Sequence, residues 1–236
     1  MSQKTLNITG IGEVLFTLSQ RSRRLRITIK TANDIVISMP QGFPMNEAIR
    51  FVESKADWIH KQQKKLNAGL TKFSPETCFK TKFHTLSVHQ VQTARLFNRA
   101  GNGRIQIFIP EHVPHDHPRI QDFIQKTLIQ VMRYEAKIYL PKRLQELAEK
   151  HGFRYQDVTI KNTKTRWGSC SGVNNINLNL HLMRLPDPLI DYVLLHELVH
   201  TVEKNHGPGF WRKLEQCYPG ARQADREMQK YRTQTF

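Results

Sequence analysis

Residues 189–202 read LIDYVLLHELVHTV. Leu189, Ile190, Val193, Leu194, Leu195, Leu198, Val199 and Val202 point in nearly every direction around a helix of 3.6 residues per turn. A helix apolar all round belongs in the interior. Its start is well marked, with Asp187 expected as the cap and Pro188 in the first turn. Yet it carries His196, Glu197 and His200. A buried polar group left unpaired costs about 1–3 kcal/mol, so these three require partners.

Helical geometry supplies one. Residues four apart lie about 40° apart around the axis and one turn along it, so His196 and His200 aim at a common point. Glu197 lies about 100° away and borders that point without ligating it. This is the HExxH arrangement, two zinc ligands with a carboxylate beside the water to be activated. A catalytic zinc takes three protein ligands and keeps one position open. His206 is the expected third, which requires the chain to turn after His200. Asn205 tolerates the left-handed conformation of a helix C-terminus, and Gly207-Pro208-Gly209 prevents the helix from continuing. The plain alternative, core histidines bonded to backbone, leaves the shared spacing of four polar residues unexplained.

The chain has 236 residues, 39% hydrophobic and 24% charged, enough for one large or two small globular domains. It has no run of about 18 apolar residues, so no membrane span is expected. The N-terminus lacks a basic segment followed by an apolar one. Cys78, Cys170 and Cys217 are far apart and form no CxxC pair, which suits a reducing compartment. A cytoplasmic location is expected. Thirty-six Lys+Arg against 20 Asp+Glu give a net charge of +16. Such a field draws in anionic small molecules or polyanions and leaves nucleic acid open as a partner.

Alternation in 23–30 and 34–40 predicts two strands joined by a turn at 31–34. Helical spacing follows from Met45 to about Leu66, and strands resume at about 82–98 and 104–110 around a turn at 99–103. The proline-rich, histidine-containing segment 110–118 (His112, His115, His117) reads as a linker more than a metal site. It divides a strand-rich basic N-terminal region with one helix, 1–113, from a metal-binding catalytic domain, 114–236. A long helix is expected over 119–150, with Phe123, Leu128, Val131, Ile138, Leu144 and Leu147 among its apolar positions, kinked or interrupted at Pro141. Residues 157–182 predict two or three strands around tight turns at Gly168 and Gly172. In NINLNL (175–180) an apolar face alternates with a row of amides.

The segments TRWGSCS (165–171), NINLNL (175–180), P…IDYVLLHELVH (186–200) and NHGPGFW (205–211) resemble the YgjP-like family of metal-dependent hydrolases, zincin relatives of the SprT-type proteins. A weaker likeness extends upstream through SRRLRITI (22–29), ADWI (56–59) and YLPKRL (139–144). The resemblance implies an α+β, zincin-like metallohydrolase domain, helices on a small mixed sheet, behind the strand-rich N-terminal region. It implies zinc or another divalent transition metal on His196, His200 and His206, with Glu197 as general base. The ligand spacing also matches metzincin proteases, but Glu203 stands where they carry glycine.

The resemblance also sets the loop with Arg166 and Trp167 near the cleft. There Arg166 is a candidate for stabilising an oxyanion or gripping a phosphate, and Trp167 reads first as core. Cys170 reads as a buried thiol, and Phe210 and Trp211 as core on a new helix. Tyr192 and Tyr218 are candidate oxyanion donors, and Asn177 and Asn179 candidates for binding an extended substrate. The expected activity is hydrolysis by metal-activated water, metallopeptidase-like, on a peptide or an anionic small molecule. Two alternatives stay open: a nucleoside triphosphate pyrophosphatase, favoured by the charge and by arginines 21, 23, 24, 26 and 166, and a DNA-associated metalloprotease.

Overall fold

The structure is a computed structural model and describes residues 3–20, 22–31, 34–67, 71–233 and 236. The chain divides into two compact units, Met1–Leu70 and Thr71–Phe236. Arg21, with Ala32 and Asn33 of the expected turn at 31–34, lies outside the described residues.

The first unit contains strands β1 (Gln3–Ile8), β2 (Gly12–Leu18), β3 (Arg26–Thr31) and β4 (Asp34–Met39), in the order β1-β2-β4-β3. The alternation of β4 puts Ile35, Ile37 and Met39 in a core with Val14 and Phe16. Helices α1 (Met45–Glu53) and α2 (Ala56–Asn67) contribute Ala48, Val52 and Ile59 to it. The single helix expected over 45–66 is therefore two. Ser54 ends α1 with its hydroxyl donating to Phe51 O at 2.8 Å. Such a local bond competes with the helical ladder.

The second unit begins with β5 (Phe79–Lys80), β6 (Thr85–Val91), β7 (Phe97–Gly101) and β8 (Arg104–Pro110), in the order β5-β6-β8-β7. Asn102 and Gly103 both have positive φ, the requirement of a tight two-residue hairpin turn. Helix α3 (Pro118–His151) buries Ile120, Ile124, Leu128, Met132, Ala136, Leu140 and Leu144, a stripe spaced by four. It runs unbroken through Pro141, and Ile138, expected among its apolar positions, is 57% exposed.

The boundary expected at 113/114 falls inside this unit. Ile105, Ile107 and Ile109 of β8 share one core with α3, so β5–β8 cannot belong with residues 1–70. Between the end of β8 at Pro110 and the start of α3 at Pro118 lies a set of turns, and the first amide of α3, that of Arg119, donates to the His117 ring.

A second sheet in this unit, ordered β10-β11-β9, comprises β9 (Asp157–Lys161), β10 (Gly168–Cys170) and β11 (Asn175–Asn179). It is mixed, β11 running antiparallel to β10 and parallel to β9. The turn expected at Gly172 is present, with Asn174 at φ 62°, but Gly168 lies within a strand. Helices α4 (Asp187–Val199), α5 (Pro208–Cys217) and α6 (Ala221–Met228) complete the unit. The expected α+β class is observed: a strand-rich N-terminal region, small mixed sheets, and helices packed with them. Among the described residues no helix is long and apolar enough to cross a membrane.

Candidate metal centre

Helix α4 is buried on nearly every side, from Leu189 and Ile190 to Leu198 and Val199. Its start differs from expectation. Pro186 occupies the cap position, and Asp187 makes no capping bond but pairs with Lys82. The helix ends at His200, and the following turn is held by Thr201, Val202 and Glu203 amides donating to Leu198 and Val199 carbonyls. Asn205 does not use the left-handed conformation it tolerates. Gly207 N donating to Asn205 O at 2.8 Å closes the bend instead.

This bend brings His206 back to the helix. Its Nε2 lies 3.0 Å from His196 Nε2 and 3.2 Å from His200 Nε2. The three side chains offer ligand atoms all within 4.8 Å of one another, the one such group of three among the described residues. Nitrogens about 2.0–2.1 Å from a tetrahedral centre stand roughly 3.3 Å apart, so the spacing fits a small divalent cation. His112, His115 and His117 form no such group.

Hydrogen bonds prepare the rings. His200 Nδ1–H donates to Glu203 O at 2.9 Å, which leaves its Nε2 lone pair toward the centre. Tyr192 Oη stands 3.5 Å from His196 Nδ1 and itself donates to Asp225 Oδ1 at 2.9 Å. Burial first, then the neighbouring His200 and His206, pushes His196 down to about 3. Burial also lowers His200. Both rings are therefore neutral at pH 7, the protonation state a ligand needs. Beneath them lies Phe210 of α5, fully buried, its ring centroid 4.9, 4.6 and 4.7 Å from those of His196, His200 and His206.

Glu197 is 5% exposed, and its Oε2 has no hydrogen-bond partner among the described residues. Burial raises its pKa to about 8, and the Arg166 cation opposes that shift. Its carboxylate lies against Gly168 of β10, where a Cβ would stand 2.5 Å from Oε1. With His196, Tyr192, Val193, Trp167, Gly168, Asp225 and Met228, Glu197 lines a cavity of about 200 Å³.

The other sequence candidates fall into place around this cavity. Arg166 is exposed and is not among the lining residues. Trp167 lines the cavity and packs against the core. Cys170 is half-buried and bonds the adjacent Ser171 O at 3.5 Å. Tyr218 donates to Pro188 O at 3.1 Å, away from the cavity lining. Asn179 is buried and ties its own loop, its Nδ2 reaching Thr163 O at 2.7 Å and Arg166 O at 2.9 Å. Its side chain is engaged inside the fold, where it also accepts the His181 amide. Asn177 donates to Ser169 Oγ at 3.3 Å within the sheet, and β11 is the middle strand, with both edges paired. Sequence reasoning missed Asp225, Gly168 and the contact of Phe210 with all three rings, each set by a distant element.

A helix presenting two imidazoles to a third from the next loop, beside a buried carboxylate and a small mixed sheet, defines a zincin-type domain. The chain belongs to the YgjP-like family: the family model described as "YgjP-like, metallopeptidase domain" matches residues 23–231. Among solved structures it is similar to the metallopeptidase zymogen of Pyrococcus abyssi abylysin, with 28% identity over 38% of this chain and 92% of that one, at a TM-score of 0.35. It is also similar to the metallopeptidase zymogen of Methanocaldococcus jannaschii jannalysin, with 22% identity over 38% of this chain and 93% of that one, at a TM-score of 0.35. No curated protein matches. Family membership supports a metal-dependent hydrolase and implies a divalent metal, typically zinc. The three imidazoles fit it by donor type and spacing.

Proposed function

We propose that the protein is a zinc-dependent hydrolase of peptide bonds, with His196, His200 and His206 holding the metal and Glu197 as general base. The observation carrying this reading is the pairing of three convergent imidazole nitrogens with a buried carboxylate whose Oε2 is unpaired. When bound, the ion acidifies a water molecule and polarises the oxygen of the bond under attack. Glu197 removes the proton from that water and returns it to the leaving group. Burial makes this carboxylate a stronger base than an exposed one, and nearby positive charge keeps its pKa close to neutrality. Strand β10 is an edge strand, and its first residue, Gly168, lies against Glu197. An extended peptide adding to that edge would pass beside the carboxylate.

Arg166 favours a second reading. Its cation, felt at Glu197 from an exposed position, suits an anionic substrate such as the phosphoanhydride of a nucleoside triphosphate. One experiment separates the readings: metal analysis of wild type, Glu197→Gln and His200→Ala, with casein and a nucleotide panel as substrates. Peptide cleavage is expected, about 10²–10⁴-fold lower in Glu197→Gln at unchanged metal content, with metal lost from His200→Ala. Full activity in Glu197→Gln refutes the base. Phosphate or pyrophosphate release without peptide cleavage selects the second reading.

A further inference from the structure

From Thr77 to Pro110 the chain contains no Asp or Glu, while Lys80, Lys82, Arg95, Arg99 and Arg104 lie within it. This stretch builds the sheet β5-β6-β8-β7. One side of the sheet is core: Leu86 and Val88 of β6 and Ile105, Ile107 and Ile109 of β8 are buried with α3. Side chains alternate across a strand, so the opposite side presents Ser87, His89, Phe97, Arg99, Gln106 and Phe108. There the register sets His89, Phe108 and Phe97 in one row across three strands. Their rings form a column: His89 on Phe108 at 5.3 Å and 23°, Phe108 on Phe97 at 4.7 Å and 14°. The Arg99 guanidinium stands 5.8 Å from the Phe97 ring and 5.6 Å from Phe108. Neither phenylalanine belongs to the buried core cluster or packs against it. Among the described residues Arg95, Arg99 and Arg104 form no ion pair, whereas Lys82 is paired with Asp187.

We infer that this face binds single-stranded nucleic acid. A cross-strand aromatic pair alone would account for Phe97 on Phe108. It leaves unexplained a third ring in register, a cation over the pair, and 34 successive residues without a carboxylate. Single strands are held by this combination, aromatic faces that stack on bases beside unpaired cations that meet phosphates. The column ends at Phe97 on the edge strand β7, where a base extends the stack. Arg95, Arg99 and Arg104 meet the backbone on either side. A duplex, whose bases already stack on each other, gains only the charge interaction.

The test is fluorescence anisotropy of the full chain with labelled 20-mers of oligo(dT) and oligo(U), against a duplex of equal length and against inorganic polyphosphate. Both single strands are expected to bind more tightly than duplex or polyphosphate, and a difference between them reports whether DNA or RNA is preferred. The salt dependence should show a log–log slope of about −2, from three arginine contacts. Phe97→Leu, which keeps an apolar residue but removes the ring, and Arg99→Gln should each weaken binding by about 5- to 30-fold with unchanged thermal unfolding. Wild type that fails to bind, that binds polyphosphate as tightly as oligonucleotide, or whose binding survives both substitutions overturns the inference. None of these outcomes depends on metal or hydrolysis.

Discussion

Gly168 leaves room for Glu197: the carboxylate occupies the space a side chain at 168 would take, with Oε1 only 2.5 Å from an ideal Cβ position. The φ of Gly168 is not positive, so its identity answers to this neighbour and not to backbone conformation. Gly168→Ala must displace the carboxylate. Hydrolysis is expected to fall by about 100-fold, as for a displacement of about 1 Å in a catalytic group, while bound metal stays at the wild-type level. Steady-state kinetics with elemental analysis check both halves, and unchanged kinetics would show that the strand yields instead.

In metal-free protein, two groups give stability an opposed dependence on pH. Glu197 is raised from 4.5 to about 8 by burial, so between those values the folded state holds a proton that the unfolded state has released. Its contribution is full below pH 4.5 and is lost as pH rises to 8. His196 is lowered from 6.5 to about 3, so its contribution is full above 6.5 and is lost as pH falls to 3. The two offset each other from 4.5 to 6.5. Above 6.5 stability falls, by at most roughly 1.4 kcal/mol per pH unit. Thermal melts of chelator-treated protein should decline from pH 6.5 to 8, and Glu197→Gln should remove that decline. A flat wild-type profile over this range refutes the account.

Asn179 donates to Thr163 O, Thr163 Oγ1 and Arg166 O, while its own amide donates to Trp167 O. Asn179→Ala leaves the buried His181 N–H and the half-buried Thr163 carbonyl without their side-chain partner, while Arg166 O keeps Thr163 Oγ1 as a donor. A loss of about 2–3 kcal/mol is expected in denaturant unfolding, with reduced activity because the freed loop leads into Gly168. A stability loss with fully retained kcat would mean that the loop does not position Glu197.

Asp225 accepts the Tyr192 hydroxyl, and Tyr192 stands against the outer nitrogen of His196. Asp225→Ala releases that tyrosine from its orientation. Metal affinity, measured by competition with a chromophoric chelator, should weaken by about 10-fold. Wild-type affinity in the variant would restrict Asp225 to packing α6.

What the sequence disclosed was local. The burial of α4 follows from its own composition, and the convergence of His196, His200 and His206 from helical geometry plus a stop signal within the next ten residues. What it concealed was set by distant partners. Gly168 reads as a turn because glycine commonly marks one, yet its reason lies 29 positions away in Glu197. The amide row of NINLNL reads as a place to bind an extended substrate, but Asn179 uses its side chain on residues 163 and 166. Segment 110–118 has the composition of a linker, while the strands before it share a core with α3.

Because Phe210 touches all three imidazole rings, helix α5 rests directly on the candidate metal site. Tightening or loosening of that cluster must therefore be transmitted into the packing of α5. Amide hydrogen exchange along residues 208–217 then serves as a gauge of occupancy, readable without any substrate in hand.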